Sequence, residues 1–317
     1  MRAPAFWDQD GILPRLLSPL GAIYGAATAH RLTRPGTRVG ARVICCGNAS
    51  AGGTGKTILA LAIGDLLLSQ GHRPAFITRG YGGKLAGPLQ VDPARHSAAD
   101  VGDEPLLLAA HAPTFVARDR AQAAALADHA TDLILDDGFQ NPDLVKDVSF
   151  LMIDGGAGFG NGRLIPAGPL REPAAAAAGR ASAVVLIGPD RTGALASLPP
   201  KLPVLRAQLV PRGPDLAGRR VLGFAGIGRP EKFRASLIEA GADVADFIAF
   251  PDHHPYRASE LADLRARAEQ FHARLVTTGK DLVRLAPNDR GDIVAAGVEL
   301  RFDPAEALAH FLCCNAT

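Results

Sequence analysis

Ser50-Ala51-Gly52-Gly53-Thr54-Gly55-Lys56-Thr57 is a glycine-rich loop ending in Lys-Thr, and its neighbours on both sides decide the fold. The preceding run, Arg42-Val43-Ile44-Cys45-Cys46, is apolar and reads as a buried strand. The following run, Ile58 to Leu68, carries helix-compatible residues at helical spacing. Strand, glycine-rich loop, Lys-Thr and helix together form the context of a phosphate-binding loop. Glycines let backbone N–H groups turn toward an anion, and the helix start adds positive potential. All eight residues from Ser50 to Thr57 are therefore candidates for nucleotide binding, with Lys56 reaching the β- and γ-phosphates and Thr57 ligating Mg²⁺. Ser50 stands where the usual pattern has Gly.

Outward from the loop, short apolar runs alternate with helical patterns. Strands are expected at 75–78, 114–117, 133–135, 149–153 and 183–187, with helices near 104–111 and 120–130. This alternation implies βαβ units: a P-loop NTPase-type α/β fold, with a parallel sheet covered by helices on both faces. Five prolines between 199 and 215 read as a linker or edge crossing. Beyond it the α/β pattern resumes, with strands at 221–225, 244–250 and 274–277. The division expected is a docking region at 1–36, a nucleotide-binding domain at 37–210 and a smaller α/β domain at 211–317.

Composition narrows the class. A chain of 317 residues, 47% apolar, can bury a full core. A net charge of +2 with mixed signs and only 5% aromatics argue against nucleic acid as a partner. The four cysteines form two adjacent pairs, Cys45-Cys46 and Cys313-Cys314, without zinc spacing, so core packing in a reducing compartment is expected. No apolar run is long enough to span a bilayer and no secretory signal is apparent. Within 1–36, Leu13, Leu16, Leu17, Leu20, Ile23, Tyr24 and Ala27 recur at helical spacing, beside Arg15, His30, Arg31 and Arg34. Such a helix either lies in a membrane interface or packs on the main domain. Pro19 is expected to disturb it.

Asp136 and Asp137 end the strand at 133–135. In a chain with a phosphate loop, such a carboxylate holds Mg²⁺ directly or through water. Which of the two faces the metal is open at this point. Asp103, before a helix, reads alone as a cap. Arg79, Arg118, Arg120 and Arg171 fall at strand ends or in loops, where ligands of open α/β folds sit. In Pro251-Asp252-His253-His254 an Asp beside a His can tune an imidazole. Adjacent residues point to opposite sides, so one His at most faces a cleft. Thr278-Gly279-Lys280-Asp281 reads as a capped helix start or the polar lobe of a cleft.

GNASAGGTGKT at 47–57, TRGYGG at 78–83, GDEPLLLA at 102–109, LDDGFQ at 135–140, GNGRLIPAGPLRE at 160–172, FAGIGRP at 224–230 and FPDHHPY at 250–256 occur in that order. In this the chain resembles the tetraacyldisaccharide 4'-kinases of lipid A biosynthesis. Asn141 stands where that family usually has His, and Ile58 where it often has Pro. The resemblance implies transfer of the γ-phosphate of ATP, with Mg²⁺, to the 4'-hydroxyl of an acylated disaccharide 1-phosphate. It implies Asp103 as general base, His253 with Asp252 as its partner, and Arg120 and Arg171 on the phosphates. It further implies peripheral attachment, through the N-terminal helix, to the cytoplasmic face of the bacterial inner membrane. The alternative is a P-loop ATPase or ligase acting on a soluble substrate.

Overall fold

A computed structural model of the chain describes residues 4–315. Helix α1 (Ile12–Leu32) precedes β1 (Arg42–Gly47), α2 (Lys56–Ser69), β2 (Pro74–Thr78), β3 (Leu89–Gln90), α3 (Ala98–Val101), α4 (Asp103–Ala109), β4 (Thr114–Val116) and α5 (Arg120–Leu126). Then come β5 (Asp132–Asp136), β6 (Val148–Asp154), α6 (Ala174–Ala178), β7 (Ala183–Ile187) and β8 (Val204–Arg212). The last part holds β9 (Arg220–Ala225), α7 (Pro230–Glu239), β10 (Asp243–Ala249), α8 (Ala258–Gln270), β11 (Arg274–Thr277), α9 (Gly279–Arg284), β12 (Val294–Ala295), β13 (Gly297–Asp303) and α10 (Ala307–Cys314).

A nine-stranded sheet has the order β13-β8-β7-β6-β1-β5-β2-β4-β3. Its pairings are parallel except at the two edges, where β3 and β13 run antiparallel to their neighbours. Successive β1 residues serve opposite faces, as strand geometry requires. Val43 and Cys45 join the core on one side with residues of α5 and α6, while Ile44 and Cys46 join the other with residues of α2 and α10. Burial on both faces explains why β1 reads as a continuous apolar run. It also explains the cysteines: burial pushes the Cys45 thiol up to about 11 and raises Cys46 as well, so both behave as inert packing groups. A second sheet, β10-β9-β11-β12, is parallel and carries its own two cores.

Two sequence expectations need correction. The proline-rich stretch is not a linker: β8 pairs with β7 over Val204–Ala207 and with β13 over Arg206–Arg212. Pro211 lies beyond the part that β7 reaches, so its missing N–H interrupts nothing on that side. Nor do the sheets follow the boundaries 37–210 and 211–317. The smaller sheet spans 220–295, after which β13 returns to the large sheet against β8, and Leu308 and Leu312 of α10 enter its core.

Helix α1 also departs from expectation, running unbroken through Pro19. Pro19 is exposed, so its ring displaces no core side chain, and its missing N–H costs the helix one backbone bond. The face that α1 turns to the protein is a small-residue face: Pro14, Gly21, Gly25 and Thr28 are buried. A Cβ at Gly25 would come within 2.5 Å of Leu164 Cδ1. The loop carrying Leu164 also seats the chain before the helix. Trp7 Nε1 donates to the Pro166 carbonyl at 3.0 Å, and the Asn161 amide donates to the Trp7 carbonyl at 2.8 Å.

Close packing of α2 on the sheet generates a stability prediction. A Cβ at Gly64 would lie 2.5 Å from Cζ of the fully buried Phe76. Gly64→Leu should destabilise by about 1–3 kcal/mol through overpacking. Gly40→Ala, with nothing within 4 Å of the new methyl, should stay within about 0.5 kcal/mol. Urea unfolding of both variants checks the difference.

Candidate active site

The register of β1 and β5 builds the first half of the site. Cys46 stands opposite Asp136, so the loop leaving β1 and the carboxylate ending β5 emerge side by side. Open α/β sheets bind ligands at this carboxyl end. The Ala51 amide donates to the Pro169 carbonyl at 2.7 Å and the Arg171 amide to the Ala49 carbonyl at 2.7 Å, which fastens the loop to the 160–172 segment. Gly55, at φ 83°, caps α2 in the left-handed region that glycine favours. Lys56 Nζ lies 3.2 Å from Asn48 Oδ1 and 3.6 Å from Asp137 Oδ1.

The two aspartates divide their work, which the sequence left open. Thr57 Oγ1 donates to Asp136 Oδ2 at 2.9 Å, while Asp136 Oδ1 is buried with no partner among the described residues. Burial, then repulsion from Glu104, pushes the Asp136 carboxyl up to about 7. Asp137 instead faces cations. Its φ is 55°, and its carboxylate oxygens each lie 3.2 Å from Arg171 Nη1. Burial works to raise this carboxyl, but Lys56 and Arg171 outweigh it and hold it below the usual range. Arg120 is buried under the turn, where its Nη2 donates to the Asp137 carbonyl at 3.0 Å. It thus sits behind the aspartate turn and supports its backbone.

The second half joins the two sheets. Gly102, at φ 92°, precedes Asp103, and a Cβ there would lie 2.4 Å from the Tyr81 carbonyl oxygen. Only glycine fits, and the turn it makes places Asp103 at the start of α4. From the other lobe, the turn after β10 brings His253 across, with Nδ1 2.8 Å from Asp103 Oδ2. Asp252 lies 3.9 Å from His253 Nε2, too far for a hydrogen bond but near enough to act as a charge. His254 turns away, bonding Glu260 at 2.9 Å and stacking on Phe250. His253 is therefore the histidine that faces the other lobe. Leu108 of α4, the helix that Asp103 starts, shares a core with Leu59, Ala60 and Ile63 of α2, the helix that the phosphate loop starts, which sets the two helices side by side.

One participant, Arg284, carried no motif that would have revealed it. Arg284 and Lys280 of α9 reach Asp103 and Glu104 of α4, the latter pair at 2.7 Å. Lys280 falls in the segment expected to be a capped helix start or the polar lobe of a cleft, and the Thr278 cap is as expected, whereas Arg284 lies at the unmarked end of the same helix. Gln140 Nε2 donates to the Asn48 carbonyl at 2.8 Å and to the buried Glu172 at 2.9 Å, which ties three motifs together. The Asn141 side-chain amide donates to Asp143 Oδ2 at 2.8 Å and its Oδ1 accepts the Asp143 amide at 3.0 Å, closing a turn.

The raised Asp136 carboxyl implies a stability cost. A folded-state pKa near 7 against an ordinary 3.8 means that ionisation opposes folding. The cost is absent below about pH 4 and complete above about pH 7, and it amounts to about a few kcal/mol. Asp136→Asn should therefore melt several degrees higher than the parent at pH 8 in chelator, without nucleotide, and the gain should vanish near pH 4. Calorimetry at the two pH values checks this.

Comparison with known proteins shows the family. The family model described as tetraacyldisaccharide-1-P 4'-kinase matches residues 13–315. Among curated relatives, the tetraacyldisaccharide 4'-kinase of Methylobacterium radiotolerans is 53% identical over 315 residues, covering 97% of each chain. That of Gluconacetobacter diazotrophicus is 53% identical, covering 96% of this chain and 95% of its own. A crystal structure of the "apo" form of LpxK from Aquifex aeolicus in complex with ATP superposes with a TM-score of 0.77 at 27% identity, covering 96% of this chain and 99% of that one. This chain belongs to the tetraacyldisaccharide-1-P 4'-kinase family.

Proposed function

We propose that this chain transfers the γ-phosphate of ATP to the 4'-hydroxyl of a tetraacyldisaccharide 1-phosphate. The observation that carries the reading is the contact of Asp103 with His253, made between the two lobes in the region of a complete phosphate loop. A soluble-substrate ligase finds no support among the relatives.

Catalysis of phosphoryl transfer is mostly positioning and charge neutralisation. The amides of Gly52 to Thr57 and Lys56 hold the triphosphate, and Arg171 supplies charge beside them. The residues present fit Mg²⁺: the orphaned Asp136 Oδ1 and the Thr57 hydroxyl are adjacent oxygen donors. Among the described residues there is no cage of three or more His, Cys, Asp or Glu, and Mg²⁺ bound with phosphates needs none. When bound, the ion offsets phosphate charge. Asp103 accepts the proton of the sugar hydroxyl as its oxygen bonds to phosphorus and the bond to the ADP oxygen breaks. Burial raises the Asp103 carboxyl, but Arg284 and His253 outweigh that and keep it ionised, ready to accept.

The acylated substrate gives α1 its purpose. Ile12, Leu16, Leu20 and Ile23 are 79%, 72%, 54% and 68% exposed, and their spacing of four, four and three sets them along one stripe. A soluble helix buries such a stripe, whereas this one turns its small residues inward. Arg15, His30 and Arg31 lie on the same helix. No described helix is long and apolar enough to cross a membrane. On this reading the helix lies in the interface, at the cytoplasmic face of the inner membrane where the acylated substrate is met.

Two measurements test this. Asp103→Ala should lower turnover on the lipid disaccharide by about two to four orders of magnitude; near-normal turnover rejects Asp103 as base. Leu16→Ser/Leu20→Ser/Ile23→Ser should lose sedimentation with anionic liposomes while keeping ATP binding. Unchanged sedimentation rejects α1 as the docking element.

A further inference from the structure

Asp103 receives two bonds on the same oxygen. His253 and Arg284 both meet Oδ2, which leaves Oδ1 outside the pairing. Arg284 is held from behind by two fixed groups. Its Nη1 donates to the Gly226 carbonyl at 2.6 Å and to Asp281 Oδ1 at 2.8 Å, while Nη2 is the arm that reaches Asp103. The same Gly226 carbonyl accepts the His253 amide at 3.0 Å, and the Gly226 amide donates to Asp281 Oδ1 at 2.9 Å. One peptide group in the FAGIGRP segment therefore fixes both the His253 backbone and the Arg284 fork.

Asp281 does not depend on Arg284 for its bonding. It is fully buried and already accepts from the Gly226 amide, the Tyr256 hydroxyl at 2.9 Å and the Thr278 hydroxyl at 2.6 Å. One guanidinium, itself buried, thus serves two carboxylates, and the second belongs to the other lobe. A planar fork can hold this arrangement and an ammonium cannot.

We propose that Arg284 is the positioning residue of the Asp103–His253 couple: anchored on Gly226 and Asp281, it fixes Asp103 Oδ2 at the bond to His253 and leaves Oδ1 for the sugar hydroxyl. This rests on the reading of Asp103 as the base. Lys280, one turn earlier on α9, bonds Glu104 and aligns the same two helices.

The charged groups facing Asp103 are Arg284 and Lys280 from α9, His253 from the turn after β10 and Glu104 on its own helix. Arg284 is the largest influence opposing burial at this carboxyl. Turnover of Arg284→Gln and Arg284→Lys on the lipid disaccharide, measured against pH, tests the inference. The Gln variant should lose about a hundredfold in kcat. Its KM for ATP should stay within about twofold, and its acid limb should move upward by about one pH unit. The Lys variant keeps a cation, so its limb should stay near the parent's while kcat falls by about tenfold. In an Asp103→Asn background, Arg284→Gln should add no further loss, since both changes remove one unit. A Gln variant with parental kcat and pH profile overturns the inference, as do losses that multiply with an unmoved profile. Where thermal melting shows the Gln variant unfolded, the Lys variant decides, and parental kcat there overturns it. Near-normal turnover of Asp103→Asn alone rejects the base reading instead, and so separates the two failures.

Discussion

The pairing of β1 with β5 is the constraint on which the rest depends. It sets Cys46 opposite Asp136, and every later feature of the nucleotide site follows from that register. The loop leaving β1 must turn over the end of β5, so Thr57, at the start of α2, meets the Asp136 carboxylate. A slip of one residue would turn the Asp136 side chain toward the opposite face of the sheet. The two cores packed on either side of β1 oppose that slip, because Val43 and Cys45 belong to one and Ile44 and Cys46 to the other.

Upon this rigid half, the smaller lobe brings His253 and Arg284 to Asp103 of the larger one. Its sheet is a separate packing unit with its own cores, yet the chain enters it from β8 and leaves it into β13, which pair with each other. The lobe is thus tied to the large sheet by an antiparallel ribbon. Contact across the cleft joins polar pairs, His253 and Arg284 to Asp103 and Lys280 to Glu104, to apolar packing of Val283 against the core of Val91, Val101, Leu106 and Val116.

How much of this the sequence disclosed depends on the range of the interactions. The strands around β1 and the helix after the loop were readable because burial on both faces leaves local apolar runs. Asp136 and Asp137 stood out because they end an apolar strand in a chain with a phosphate loop, whereas Asp103 read alone as a cap, and it and His253 gained candidate roles only through the family resemblance. Arg284 was not, because its partners are 181 residues away at Asp103 and 58 at Gly226, and nothing in Val283-Arg284-Leu285 marks it. The return of β13 was hidden for the same reason: its sheet partner is about ninety residues back, behind a complete lobe. The roles of Asp136 and Asp137 became separable only with geometry, since adjacent carboxylates look alike in a string. Helix α1 shows the opposite limit. Its apolar stripe was plain, but whether that stripe faced protein or solvent depended on Gly21 and Gly25 forming the inner face.

The central claim is that the two lobes complete a single site that passes phosphate from ATP to a sugar alcohol on a lipid. Incubation of the full chain with γ-labelled ATP, Mg²⁺ and an acylated disaccharide 1-phosphate in mixed micelles tests it most directly. The account predicts label in a new phosphomonoester on the lipid, formed in step with ADP. Release of labelled inorganic phosphate with none on the lipid would contradict it.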